Sequence, residues 1–249
     1  MPALITLLTD FGTADGYVAE IKGVLYSLAP EATIVDLSHE IPPHDTEFAR
    51  LAVARFWRRF PPATVHLVVV DPGVGTSRAA LAVQSDGRFL VGPDNGVLSP
   101  ALLLGEASLV SLPVSPAASR TFHGRDVFAP AAAALANGAT LASLGPSHAT
   151  PIVRRTREAV KRDDGAILGE VIAIDRFGNA ITNLIGVRSG VVAAAGRPVP
   201  VRATYADVAS GAPVALVGSS GLLEVAVRDG NAATALGLQR GAVVVWYRG

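Results

Sequence analysis

An apolar run, Val65 and then Leu67 to Val70, stops abruptly at Asp71-Pro72-Gly73-Val74-Gly75. No other stretch limits the possible folds as strongly. A short β-branched run of this kind is what a strand buried on both faces requires. Pro72 and the two glycines end it in a tight turn and let a ligand come close to the backbone. Asp71 is the last residue before the break, at the strand's carboxyl end, where open α/β sheets place their ligands. Arg78 stands on the far side of the loop. A carboxylate and a guanidinium bracketing such a turn make either a loop-closing ion pair or part of a site.

The flanking chain supplies cover for that strand. Residues 3–9 (ALITLLT) read as another buried strand, ending in Asp10-Phe11-Gly12. Residues 15–28 carry Val18, Ile21, Leu25 and Leu28 at helical spacing. A strand is predicted over 33–37, with Asp36 near its end, and a helix over 46–60, with Phe48, Leu51 and Ala52 on one face. Further strands are predicted over 79–83, 88–91 and, more weakly, 108–112, and an alanine-rich helix over 128–135. Strands alternating with helices argue for a mostly parallel sheet with crossover helices. Asp10, Asp36, Asp71 and Asp94 recur at or near strand ends. Some are turn formers or helix caps, but together they point to a carboxylate-lined rim at one end of the sheet.

Residues 154–164 (RRTREAVKRDD) have no apolar face and read as a surface linker. Beyond them the pattern changes to short strands and turns, over 167–174, 180–184, 191–194, 199–203, 214–217, 222–227 and 242–247, with one helix over 231–238. That density of strands indicates a compact β-barrel or sandwich. The predicted class is therefore α/β, with an N-terminal α/β domain over 1–156 and a C-terminal all-β barrel domain over 165–249.

Composition removes several functions. A chain of 249 residues, half apolar and 17% charged, can build one large or two modest cores. Its net charge is zero, with no basic run to attract nucleic acid or anionic lipid. The absence of cysteine excludes thiol nucleophiles, thiolate zinc sites and disulfides. The first residues lack a basic n-region and meet Asp10 early, unlike a signal peptide. No stretch approaches the roughly 18 apolar residues a membrane span needs, so a soluble cytoplasmic protein is expected.

Among five histidines, His123 in Thr121-Phe122-His123-Gly124-Arg125-Asp126 lies in a loop before a helix, where a side chain can face a cleft. His66, inside a strand, reads as structural. His39 and His44 flank the Pro42-Pro43 turn and can line a pocket, and His148 reads as solvated. No HxH, HExxH or DxD spacing brings metal ligands together, so no metal is expected. Neither GxGxxG after the first strand nor GxxxxGK[ST] occurs, which disfavours dinucleotide and triphosphate sites. In the second half, Ile174 to Asn183 interrupts a strand-like pattern with polar and aromatic residues. Gly178-Asn179 fits a hairpin turn, while Phe177 offers a stacking face and Asn179 an amide that can read a base edge.

Six ordered motifs, LLTDFGTADGYVAEIKG (7–23), VVVDPGVGTSR (68–78), VGPDNGVLSP (91–100), TFHGRDVFAP (121–130), IDRFGNAITN (174–183) and GSSGLLEVA (218–226), run almost end to end. Together they resemble the S-adenosyl-L-methionine hydroxide adenosyltransferases, relatives of the fluorinating and chlorinating enzymes that use the same substrate. The resemblance implies an N-terminal α/β domain, a C-terminal β-barrel, and homotrimers with the active sites at subunit interfaces. It implies cleavage of S-adenosyl-L-methionine by water to adenosine and L-methionine, without metal or organic cofactor, by a catalytic set matching Asp71, Arg78 and His123. The substrate contacts it implies are Asp10 on the ribose hydroxyls, with Phe11 beside it. Asp15, Tyr17, Ser219 and Ser220 would meet the methionine end, and Asp175 its ammonium. Phe177 and Tyr205 would flank the adenine, with Asn179 and the backbone near Ala232 reading its edge. Tyr17 and Ser220 occupy positions where relatives carry other residues, so the group that recognises the methionine carboxylate stays open. The halogenating relatives differ at the aspartate and histidine positions and carry a loop that this shorter chain lacks, which favours hydrolysis. A halide-using transferase and a non-catalytic binding protein for S-adenosylmethionine or a nucleoside are the alternatives.

Overall fold

The structure is a computed structural model that describes residues 3–248. The chain divides into two compact units, Met1–Arg155 and Thr156–Gly249.

The first unit runs β1 (Leu4–Thr9), α1 (Tyr17–Leu28), β2 (Thr33–Ser38), α2 (Thr46–Phe56), β3 (Val65–Val69), β4 (Ala80–Ser85), β5 (Arg88–Pro93), α3 (Ser99–Leu103), β6 (Ala107–Ser111) and α4 (Ala129–Ala136). Its six-stranded sheet has the order β2-β1-β3-β5-β4-β6. The first three pairings in that order are parallel and the last two antiparallel, so the sheet is mixed rather than mostly parallel. The reason is local. Only Asp86 and Gly87 join β4 to β5, both at positive φ (48° and 70°), and two residues make a hairpin, never a crossover. The predicted helix over 46–60 ends at Phe56 and tightens into a 3₁₀ turn over Trp57–Arg59. Asp45 caps its start, its carboxylate accepting from the Phe48 N–H.

Side chains alternate across β3, and each set meets its own cover. Val65, Leu67 and Val69 share one cluster with Ile21 and Leu25 of α1 and Ala129, Ala132 and Ala133 of α4. Val68 and Val70 share the opposite cluster with Ala49 and Val53 of α2, Trp57, Leu90 and Leu98. The run before Asp71 is apolar without a break because both faces are buried. Gly92 is required here: a Cβ would sit 2.5 Å from the Val68 carbonyl oxygen of the neighbouring strand.

The same alternation buries His66 completely among Phe56, Phe60 and Trp57. Its Nε2 donates to the Trp57 carbonyl (3.0 Å), and its Nδ1 accepts from the Thr6 hydroxyl (2.7 Å). The ring is therefore neutral, and burial pushes its pKa down to about 4 from 6.5. Between those values the unfolded chain takes up a proton that the folded chain refuses. Stability from this group is complete above pH 6.5 and declines as pH falls towards 4, by up to roughly 3 kcal/mol. Urea midpoints compared between pH 7 and about 4.5 are expected to fall less steeply in His66→Asn than in the parent. Parallel curves would show that another group sets the acid limit.

The second unit contains β7 (Val160–Lys161), β8 (Ile167–Ile174), β9 (Ala180–Ile185), β10 (Val191–Ala194), β11 (Arg197–Pro200), β12 (Pro213–Val217), β13 (Leu222–Val227), α5 (Ala232–Leu236) and β14 (Val243–Tyr247). The strands pair antiparallel in the order β11-β10-β14-β8-β9-β13-β12, with β7 added on β8. A bridge from Val201 to Ala215 in β12 nearly closes the sheet into a barrel around Val171, Leu184, Val192, Val199, Val225 and Val244. The stretch read as a linker thus contributes a short strand, Val160–Lys161, and the strand predicted over 199–203 lies at Arg197–Pro200. No helix among the described residues is long and apolar enough to cross a membrane.

Candidate active site

The four strand-end carboxylates do form a rim. β1, β2, β3 and β5 are mutually parallel; Asp10, Asp71 and Asp94 lie just past the carboxyl ends of β1, β3 and β5, and Asp36 two residues before the end of β2. They are employed differently. Asp36 holds Lys22 at 2.5 Å, with His39 Nε2 at 3.2 Å. Asp94 accepts from the Ile152 N–H (2.7 Å), with His148 Nε2 at 3.5 Å. These two carboxylates brace the fold. Asp10 accepts from the His44 N–H (2.8 Å), and His44 holds a positive φ of 66° to deliver it.

Asp71 and Arg78 form a bidentate pair, Nε to Oδ1 at 3.0 Å and Nη2 to Oδ2, with both side chains more than nine-tenths buried. The loop between them folds back through the Val74 N–H on the Asp71 carbonyl and the Thr76 hydroxyl on the Gly73 carbonyl. Gly75, at φ 76°, packs where a Cβ would collide with the Arg120 carbonyl. Arg78 Nη2 also lies 2.9 Å from His123 Nδ1. A guanidinium only donates, so Nδ1 is the acceptor, and the neutral ring carries its proton on Nε2. Burial, then the Arg78 charge, holds the His123 pKa below the usual imidazole value against the opposing pull of Asp71 and Asp126. The loop-closing ion pair and the catalytic candidate are thus the same pair, extended by one histidine.

His123 opens a π-turn, Gly124–Phe128, that feeds α4. Such wide turns concentrate at functional sites. Here the turn sets Phe128 under Arg78, the guanidinium 5.3 Å from the ring centroid. Gly124 lies so close to Val69 and Ile21 that a Cβ would stand 3.1 Å from each. Phe122, next to His123, packs edge-on against both Phe11 and Tyr17, centroids 5.8 and 5.4 Å away. Phe11, Tyr17 and the histidine loop therefore form one aromatic wall. Asp15 is exposed just before α1.

The polar candidates of the second unit gather at one corner of the barrel. Asp175 to Asn179 is the loop of the β8–β9 hairpin. Asp175 Oδ1 accepts from the Phe177 and Asn179 N–H groups, and Oδ2 from Asn179 Nδ2 at 3.0 Å. This leaves Phe177 73% exposed. Gly178, at φ 83°, packs against Asn231, the cap of α5, and its carbonyl accepts from the Ala233 N–H, so Ala232 adjoins the loop. Tyr205 lies close enough to Asp175 to feel its charge. Ser219 and Ser220 are exposed in the β12–β13 turn.

Four supporting residues escaped the sequence reading. Phe122 and Phe128 looked like ordinary loop and helix residues. Asn95 donates to the Val70 carbonyl (2.9 Å) and so clamps the end of β3; the Pro93-Asp94-Asn95-Gly96 turn was its signal. Glu224, 6% exposed, accepts from the Tyr205 hydroxyl. A lone acid inside an apolar strand is the signal that marks it. Among the described residues no group of three or more His, Asp or Glu is placed to hold a metal.

Comparison with known proteins shows the family of the chain. The family models described as SAM hydroxide adenosyltransferase N-terminal domain and C-terminal domain match residues 5–145 and 169–245. The (R)-S-adenosyl-L-methionine hydrolase of Thermus thermophilus is 46% identical over 96% of this chain and 98% of its own. The protein of the same name from Salinispora arenicola is 40% identical over 95% of each. A crystal structure of an uncharacterised conserved protein from Thermotoga maritima, 33% identical, superposes with a TM-score of 0.90 over 98% of this chain and all of that one. On both its halves and along nearly its whole length, this chain belongs to the SAM hydroxide adenosyltransferase family.

Proposed function

We propose that the protein hydrolyses S-adenosyl-L-methionine to adenosine and L-methionine. The observation that carries this reading is the Asp71–Arg78–His123 constellation at the carboxyl end of β3. The arrangement provides a base, a charge that fixes the base, and a neutral imidazole beside it. Each Asp71 oxygen keeps one lone-pair site free of Arg78, and one of these can accept from a water molecule. The His123 Nε2–H, pointing away from Arg78, donates to the same water. Held at both ends, the water presents its remaining lone pair to C5′ of the substrate. The C5′–O bond forms as the C5′–S bond breaks. The sulfur keeps the bonding pair and leaves as a neutral thioether, so no general acid is needed. The water's proton passes to Asp71 and then to solvent.

The remaining assignments follow the exposed groups. Asp10 takes the ribose hydroxyls, with the Phe11–Tyr17–Phe122 wall beside it. Phe177 and Tyr205 flank the adenine, Asn179 and the Ala232 backbone read its edge, and Asp15, Asp175, Ser219 and Ser220 meet the methionine end. The catalytic set belongs to the first unit and the adenine contacts to the second. We place both around one substrate at the interfaces of a homotrimer.

Incubation with S-adenosylmethionine in chelator, with and without chloride, is expected to release adenosine and no 5′-chloro-5′-deoxyadenosine. Sedimentation should give the mass of three chains. Binding without nucleoside release, or a chlorinated product, overturns the reaction, and full activity in a monomer overturns the shared site.

A further inference from the structure

Glu224 has no place in the reaction above, yet it is the most enclosed carboxylate of the barrel corner. It lies within β13, flanked in register by Leu216 of β12 and Ile181 of β9, so its position is fixed by strands on both sides. One oxygen accepts from the Tyr205 hydroxyl. The other lies so close to Gly218 that a Cβ there would collide with it. Gly218 begins the turn that carries Ser219 and Ser220, closed by hydrogen bonds to Leu222 and from Gly221. Tyr205 opens a short 3₁₀ turn fastened by a capping box between Thr204 and Asp207. Two separate loops, one bearing a ring and one bearing two serines, thus rest on the two oxygens of one buried side chain.

We propose that Glu224 is a positioning residue, keying the Tyr205 ring and the Gly218–Gly221 turn to β13 so that the adenine and methionine contacts keep a fixed spacing. This rests on the assignment of Tyr205 and Ser219 to substrate binding. A carboxylate suits the task because a charged acceptor holds a phenol about twice as strongly as a neutral one. The hydroxyl is correspondingly hard to ionise: burial first, then the hydrogen bond to Glu224 and the nearby Asp175 charge, raise the Tyr205 pKa above the ordinary phenol range.

The test is kinetic and spectroscopic. Glu224→Leu is expected to raise KM for S-adenosylmethionine about 10- to 100-fold, the range of one hydrogen bond to a charged group, with kcat changed less than about threefold. Glu224→Gln keeps an acceptor of the same length and should stay within about threefold of the parent KM. Tyr205→Phe should match Glu224→Leu, and the double variant should be no worse than either. Ultraviolet titration should show one of the four tyrosines ionising at lower pH in Glu224→Leu than in the parent. Where Glu224→Leu fails to fold, Gly218→Ala displaces the carboxylate from the other side and should raise KM in the same way. Unchanged KM and titration, or additive effects in the double variant, overturn the proposal. If Tyr205→Ala leaves KM unchanged while the titration shift remains, the adenine assignment fails and the positioning role goes with it.

Discussion

Asp71→Asn is expected to lower the turnover of S-adenosylmethionine about 10³-fold, or about 4 kcal/mol of barrier, within the range of a positioned base. Substrate affinity should hold within about threefold, because no binding contact is assigned to Asp71. The substitution is conservative in volume and keeps one oxygen for Arg78, whose bonds to His123 and the Ala79 carbonyl are untouched. The loss is the negative charge and the second acceptor. An amide neither takes the proton of a water attacking C5′ nor accepts hydrogen bonds at both of its ends. Single-turnover release of adenosine, measured beside binding of the intact substrate, separates the two effects. A variant that still turns over within tenfold of the parent removes Asp71 from the chemistry and leaves the pair as a loop clasp.

Much of the first unit was legible because burial writes itself into the residue types. The run at 65–70 is apolar on consecutive positions since helices lie on both faces of β3, and no exposed strand reads that way. The mixed character of the sheet was harder to see. β4 and β5 are as apolar as their parallel neighbours, and only the Asp86-Gly87 turn between them reveals the reversal. A pattern reports how deeply a strand is buried, while its direction is decided by the length of the connection. β7 was missed for the opposite reason. It has two residues, both exposed, and its pairing with β8 is paid in backbone hydrogen bonds that leave no hydropathy trace.

At the site, the residues that bear charge were visible and those that hold them were not. Asp71, Arg78 and His123 stand out as polar groups beside glycine and proline turns. Phe128 under Arg78 and Phe122 beside His123 are buried aromatics like any other until the π-turn brings them round. Of the four acids at strand ends, the sequence could not say which brace the fold. That depends on Lys22 and the Ile152 N–H, partners distant along the chain. Asp175 shows the same limit from the other side. Three hydrogen bonds from its own loop make it a scaffold for Phe177 and Asn179 before it is a partner for anything else.

Arg78→Met should have the largest combined effect, and its two consequences are separable. Methionine fills the volume above Phe128 but leaves Asp71 buried without its partner. Breaking a buried pair in this way costs about 3–5 kcal/mol, a loss readable as a lower urea midpoint with an unchanged slope. In the parent, Arg78 fixes the Asp71 carboxylate through two hydrogen bonds, fixes the His123 tautomer by donating to Nδ1, and lowers that ring's pKa. With the guanidinium gone, the Asp71 carboxylate still pulls the His123 pKa upward and nothing of Arg78 opposes it. The acid limb of kcat should therefore move to higher pH, because the proposed reaction sets a neutral ring beside a cationic substrate, and the ring now gains its charge at higher pH. Arg78→Lys restores the charge without the fork, so it should recover stability more than activity, since one ammonium cannot reach both carboxylate oxygens and Nδ1 in the same plane. A variant with lowered stability but the parent's pH profile would mean that Arg78 closes the loop and does nothing to the histidine.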